Sequence, residues 1–252
     1  MANLFLGFPV PRAKIADMIT GTAPPSLHKT QHQDGGTDEI DCTGLAGAGG
    51  MANLYDGPGV FISEWFTSIT GWGTSIDTNA WATLDRFGLY VGTPATANLS
   101  AWIYKLIDIQ QTDFSWAKKV SFRLDVKLYR AAASSGVQHI VSGEPGTARH
   151  VGFKVDNGVL FGTVGNGTAE TLTAAIETLG TGAYTQTRTL ECSYRVTSCE
   201  FWVDGVLKGT ITTGLPTGTS DAGTLIQFVV DNATFAVMQW IKTSWFKLWK
   251  ET

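Results

Sequence analysis

Between Lys119 and Tyr129 the chain alternates without a break. Val120, Phe122, Leu124, Val126 and Leu128 are apolar, while Lys119, Ser121, Arg123, Asp125 and Lys127 between them are polar. Successive side chains of a strand point to opposite faces. A period of two therefore specifies a strand with one face in a core and the other in water, which is the pattern of an antiparallel sheet. Any fold for this chain has to supply the sheet around that strand and an apolar layer beneath it.

The neighbouring sequence supplies more of the same. Trp102–Ile109 reads as a strand. His150–Val155 and Val159–Val164 flank Asn157-Gly158, the pair that provides the positive φ of a tight hairpin turn. In Arg188–Val196, Leu190, Cys192, Tyr194 and Val196 share one face. A turn at Thr197-Ser198 pairs Tyr194 with Phe201 and Cys192 with Val203, which keeps Phe201 and Val203 on that face. In this register Cys192 does not meet Cys199, which argues against a bridge between them. Asp204-Gly205 turns the chain into Val206–Ile211, and Leu225–Val230 and Ala236–Trp249 close it. Thr168–Leu179 suits a helix at Leu172 and Ile176, but its threonines and flanking glycines favour strands. From about residue 55 onward this makes roughly ten to fourteen short strands with almost no helix. The fold class is all-β, an antiparallel two-sheet sandwich preceded by an extended N-terminal segment.

The first fifty residues differ. Residues 1–22 hold one weakly amphipathic stretch, with Ile15, Met18 and Ile19 on one side, and read as an attachment segment. Residues 23–54 form a Gly- and Asp-rich connector in which Leu27, Ile40 and Leu45 are the only large apolar residues before Gly50. Such a segment cannot build its own core. It is a linker, or it is ordered by other chains. The tetrapeptide Met-Ala-Asn-Leu occurs at 1–4 and 51–54, but the residues after the two copies diverge and no repeat results. The N-terminus lacks the order of a secretion signal, because Pro9 and Pro11 interrupt its short apolar run and the basic residues come after it. No run is long enough to span a membrane. The three sequons, at Asn98, Asn166 and Asn232, then read as chance matches. A net charge of −4 disfavours phosphate neutralisation, so no nucleic-acid partner is expected.

Two resemblances narrow the reading. Phe201-Trp202-Val203-Asp204-Gly205-Val206-Leu207 resembles a hairpin of concanavalin A-like (laminin G-like) jelly rolls, and the layout of residues 55–252 is similar to theirs. The resemblance implies a jelly roll, a fold that hosts lectins, glycosidases and structural modules alike. His28, His32, Gly35, Gly36, Asp38, Glu39, Ile40, Gly44 and Leu45 form a pattern, H-x-x-x-H-x-x-G-G-x-D-E-I-x-x-x-G-L. It resembles a short connector of bacteriophage virion proteins, set between an attachment segment and a distal domain and often found in trimers. It implies a homotrimer whose residues 1–50 contact sister chains and other virion proteins.

Catalysis, metal binding and sugar binding each have candidate residues. Jelly-roll glycosidases carry an E-x-D-x-x-E strand motif. Glu39-Ile40-Asp41 matches its first half, but position 44 is Gly and position 43 is Thr, so the second acid is missing. His28 and His32 are too few per chain for a closed metal site. Around a threefold axis they become six, and a shared axial metal ion is the one cofactor expectation. The competing reading is hydrogen bonding at a chain–chain contact. Calcium ligands would come from Asp156-Asn157, Asp221 or Asp231-Asn232, but no loop concentrates enough carboxylates. Of the nine tryptophans most belong in the core. Trp72, between two glycines, is the candidate exposed sugar platform, and Trp202 is the second, on an outer sheet face. Trp240–Trp249 reads as a closing strand rather than a membrane-surface helix.

The combined expectation is a non-enzymatic phage virion protein, made in the host cytoplasm and displayed on the particle exterior without membrane insertion. Its role is that of a fibre or appendage that binds a host-surface glycan. A capsid decoration protein is the nearest alternative, and a polysaccharide-active glycosidase is the alternative from another class.

Overall fold

The computed structural model describes residues 60–106, 115–133, 135–218 and 224–250. The attachment segment and connector lie outside them, including His28, His32, Gly35, Gly36, Asp38, Glu39, Ile40 and Leu45. The described chain runs through β1 (Val60–Trp65), β2 (Gly73–Ile76), β3 (Trp81–Asp85), β4 (Gly88–Thr93), β5 (Ser100–Leu106), β6 (Val120–Arg130), β7 (Val137–Gly143) and β8 (His150–Asp156). It continues through β9 (Val159–Gly165), β10 (Glu170–Leu172), β11 (Glu177–Thr178), β12 (Tyr184–Tyr194), β13 (Cys199–Val203), β14 (Val206–Ile211), β15 (Thr224–Asp231) and β16 (Gln239–Lys250). There is no helix among the described residues.

The strands form two eight-stranded antiparallel sheets. The first has the order β14-β13-β12-β6-β16-β4-β3, with β1 also paired to β16. The second has the order β10-β9-β8-β7-β15-β5-β2, with β11 also on β9. Sequence-distant strands such as β6 and β16 pair at the centre of the first sheet, while tight hairpins such as β8–β9 and β13–β14 lie toward the edges, as expected of a two-sheet sandwich.

Alternation explains the packing. The apolar side of β6, from Val120 to Leu128, is fully buried, as are Ile241, Phe246 and Leu248 of β16. Val151, Phe153 and Val155 of β8 and Ile226, Phe228 and Val230 of β15 join them in the core from the second sheet. Phenylalanine edges join the layers. Phe122 lies 6.3 Å from Phe153, Phe153 lies 5.6 Å from Phe201, and Phe228 lies 6.1 Å from Phe246, all edge to face. Such pairs add about 1 kcal/mol each beyond the area they bury. Gly162 permits one of these contacts, since a Cβ there would lie 2.4 Å from the Phe201 ring.

Both two-residue turns form as their residues dictate. Asn157 and Gly158 take φ of 48° and 76°, and Asp204 and Gly205 take 51° and 77°, the positive pair of a type I′ turn. The expected closing strand forms, with Phe246 and Leu248 inward and Trp245, Lys247 and Trp249 only partly covered. Thr168–Leu179 supplies the short strands β10 and β11.

The β12–β13 register differs from the expected one. Tyr194 pairs with Cys199 and Cys192 with Phe201, two residues from the predicted partners. The cause is a four-residue turn, Arg195–Ser198, closed by Arg195 N–H donating to the Ser198 carbonyl at 2.8 Å. Val196, expected inside, sits in that turn with φ 72° and is 36% exposed. An even shift leaves each side chain on its predicted face, so the core survives the change. It also brings the two free, fully buried cysteines together, with Sγ atoms 3.5 Å apart.

Buried polar groups are tied down. Asn232, fully buried, accepts from Thr93 Oγ1 at 2.7 Å and donates to the carbonyls of Pro94 and Thr96 at 2.7 and 2.8 Å. The sequon at this residue is therefore closed to a glycan in the folded chain.

Candidate functional site

The last strand, β16, changes neighbour half-way along. Gln239–Thr243 pairs with β4, and Trp245–Trp249 pairs with β1. Ser244 between them falls in a bulge against β6. The bulge is held at fixed points. Thr243 Oγ1 donates to the Asp125 carbonyl at 2.7 Å, and the Phe66 N–H donates to the Ser244 carbonyl at 3.2 Å. Gly88, at φ 120°, begins β4 against this bulge, and a Cβ there would lie 2.3 Å from the Thr243 carbonyl oxygen. No other residue fits at that position without moving the backbone.

Where β4 begins and β1 ends, the sheet opens into a cleft of about 560 Å³. Trp65, Leu84, Asp85, Arg86, Phe87 and Ser244 are among its lining residues. Trp65 is 63% exposed and Phe87 is 55% exposed. Trp245 stands beside Trp65, with ring centres 6.1 Å apart. What sets these two apart from the other exposed hydrophobics is that they line one concavity together.

The β3–β4 hairpin supplies Leu84–Gly88 of the lining. Asp85 pairs with Gly88, leaving Arg86 and Phe87 at the tip. Asp85 Oδ1 accepts the Phe87 N–H at 2.8 Å, and its Oδ2 accepts from Lys242 Nζ. Partial burial pushes the Asp85 carboxyl upward, but the Lys242 and Phe87 hydrogen bonds outweigh it and hold the group below its ordinary value. The Arg86 guanidinium lies 4.5 Å from the Phe87 ring centre and the Lys242 ammonium 5.0 Å from it. Two cations thus hold the exposed ring in place.

A separate aromatic cluster covers the outer face of the first sheet next to the cleft, joined to Phe87 through Lys242. Lys242 also lies 5.0 Å over Tyr90. Tyr90 is 5.5 Å from Trp81 and 5.4 Å from Trp240, and Tyr129 stacks on Trp240 at 4.9 Å. Aromatic faces of this kind can take up apolar C–H surface, and Thr67, Asp85, Arg86 and Ser244 place hydrogen-bonding groups beside them. Asp85 is the one carboxylate among the described lining residues, and it is already paired.

The predicted tryptophans fare differently. Trp72 is not an exposed platform. Its ring packs 5.4 Å from Phe66, 5.7 Å from Phe246 and 6.3 Å from Phe228, because the flanking glycines let the loop fold inward over the core. Trp202 does lie on an outer face, half-covered, cross-strand from Glu191 and Leu207. It is three strands from β16, about 14 Å at ordinary strand spacing, and belongs to a separate patch. The Asp231 loop uses its carboxylate internally, accepting the Ala233 N–H at 2.7 Å. Asp221 lies outside the described residues. Among the described residues no group of three His, Cys, Asp or Glu side chains is placed to hold a metal ion.

No family model matches the chain, and no curated protein is similar to it in sequence. Solved structures are similar in shape. The β-glucanase of Bacillus licheniformis superposes with a TM-score of 0.54 at 15% identity, over 77% of this chain and 99% of that one. The fold is a concanavalin A-like jelly roll. Botulinum neurotoxin type C, whose passage into cells depends on interaction with two ganglioside molecules, gives 0.53 at 13% identity, over 79% of this chain and 49% of that one. A protein of unknown function from Shewanella oneidensis MR-1 gives 0.50 at 16% identity, over 75% and 84%. The chain thus spans about half the length of the neurotoxin chain it matches. At these identities the likeness establishes the fold alone.

Proposed function

We propose that this jelly roll is a non-enzymatic glycan-recognition module, and that it binds its glycan in the cleft between β1 and the β3–β4 hairpin. The observation that supports it most is that two exposed rings, Trp65 and Phe87, line the same cleft. Hydrolysis would need two carboxyl groups about 5 Å apart, or about 6.5–9.5 Å apart for inversion. The cleft offers Asp85, neutralised by Lys242. A jelly-roll neighbour that depends on gangliosides is compatible with this reading.

The setting we propose is the exterior of a phage particle, as a homotrimeric fibre or appendage anchored through residues 1–50. The support is the resemblance of residues 28–45 to virion connectors. A glycan array probed with the full chain and with its Trp65→Ala variant tests the binding. Array signals should fall at least tenfold in the variant. Signals unchanged by the substitution would remove the cleft from consideration. Electron microscopy of labelled particles tests the setting. Label at tail or appendage tips supports the fibre, label spread over the shell supports capsid decoration, and no label on particles ends the virion reading.

A further inference from the structure

The cleft of the first sheet and the face beside it carry more positive than negative charge, and the excess lies against aromatic rings. Arg86 and Phe87 form the tip of the β3–β4 hairpin, and both are exposed. The Arg86 guanidinium lies 4.5 Å from the Phe87 ring centre, and it forms no ion pair among the described residues. The one carboxylate in the described lining, Asp85, is taken by Lys242 instead.

An exposed arginine without a partner is ordinary by itself. The register shows what sets this one apart. Lys242 of β16 stands directly across from Lys127 of β6. Like charges opposed on neighbouring strands repel. Lys127 is exposed, lies 5.9 Å from the Trp240 ring centre and forms no ion pair among the described residues. Asp125, two positions earlier on the same face, is occupied by Thr189, whose Oγ1 donates to it at 2.7 Å. Arg86, Lys242 and Lys127 therefore face only Asp85 and Asp125, and the Arg86 charge is the one inside the cleft that nothing answers.

A guanidinium over an aromatic ring keeps its in-plane N–H donors free. They form a fork that meets a planar carboxylate through two parallel hydrogen bonds. Trp65, on the same lining, offers apolar surface to the rest of the ligand. We propose that the saccharide bound in the cleft is acidic, which rests on the cleft being the glycan site. Its carboxylate accepts from the Arg86 guanidinium, and its ring lies against Trp65. The ligand class is a sugar unit carrying one carboxylate, such as a uronic or sialic acid. Lys242 and Lys127 act at longer range and draw an anion toward this face. A neutral saccharide reaches the same rings but leaves the Arg86 charge unanswered. A sulfate ester supplies the charge without the planar two-oxygen edge.

The test is an array of matched oligosaccharides in carboxylate, carboxamide and sulfated forms. It is probed with the full chain and with Arg86→Gln, Arg86→Lys and Trp65→Ala. Arg86 is exposed at a hairpin tip, so neither substitution there disturbs the core. Carboxylate forms should bind at least tenfold more strongly than their carboxamides. Arg86→Gln should remove that preference, and Arg86→Lys should restore only part of it, because the charge remains and the fork does not. Trp65→Ala should lower every cleft-bound signal. Signals that fall with Trp65→Ala but do not distinguish carboxylate from carboxamide would overturn the acidic ligand and leave the cleft as the glycan site. Sulfated forms bound as tightly as carboxylates, with Arg86→Lys fully active, would overturn it as well, since charge alone would then suffice. Signals that no variant changes would remove the cleft itself, and the acidic ligand with it.

Discussion

Acidification should unfold this domain partly through one histidine. His139 is buried beside Lys154, and burial together with that neighbouring charge brings its imidazole down from 6.5 to about 4. The unfolded chain takes up a proton below about pH 6.5, while the folded chain refuses it until about pH 4. The His139 contribution to stability is therefore lost as pH falls through that window and is flat below it. Over the whole window the loss is about 3 kcal/mol, and at about pH 4.5 roughly 2.5 kcal/mol of it has gone. The perturbation is His139→Asn, which removes the titration and keeps a polar side chain. Urea unfolding of both chains at about pH 7 and about pH 4.5 reads the His139 titration together with its coupling to Glu170 and His150, while the more distant carboxylates contribute equally to each. The unaltered chain should lose about 2–3 kcal/mol more than the variant between the two conditions. Equal losses would show that His139 is not a buried neutral imidazole in the folded state.

Packing and burial give three further expected outcomes. Gly162→Ala places a Cβ 2.4 Å from the Phe201 ring and should cost about 1–3 kcal/mol in urea unfolding. Combining it with Phe201→Leu should recover part of that loss, and a purely additive double variant would place the strain elsewhere. In a Cys42→Ser background the remaining thiols should resist iodoacetamide until the domain unfolds, since burial and the adjacent Cys192 raise the Cys199 thiol well above its ordinary value. Phe153→Ala, which removes a ring touching both Phe122 and Phe201, should cost about 3–5 kcal/mol, read as a lower urea midpoint with unchanged m.

Much of the sandwich was legible from local pattern. Strands such as Val120–Arg130 alternate cleanly, and the Asn157-Gly158 and Asp204-Gly205 turns carry residues that tolerate positive φ. The β12–β13 register was not, because its turn places a valine at φ 72°, where a β-branched side chain gives no signal. Trp72 misled for a related reason. Glycines on both sides mark a bend, but whether a bent loop points out or folds over Phe66 and Phe228 is decided by the packing of distant strands. The cleft was out of reach altogether. It exists because β16 exchanges β4 for β1 at Ser244, which brings Trp65 to Phe87 across a break in the sheet. One local sign was present: Phe87 stands at the tip of a tight polar hairpin, where a large apolar residue has no core to enter.

The most direct test of the glycan cleft is to watch the tryptophans. The indole N–H resonances of the isotope-labelled chain would be followed while an array-selected glycan is added. Trp65 and Trp245 should shift first and saturably, and Trp116, fully buried, should stay fixed. A saturable shift confined to Trp202, or none at Trp65 and Trp245, would contradict the assignment of the cleft.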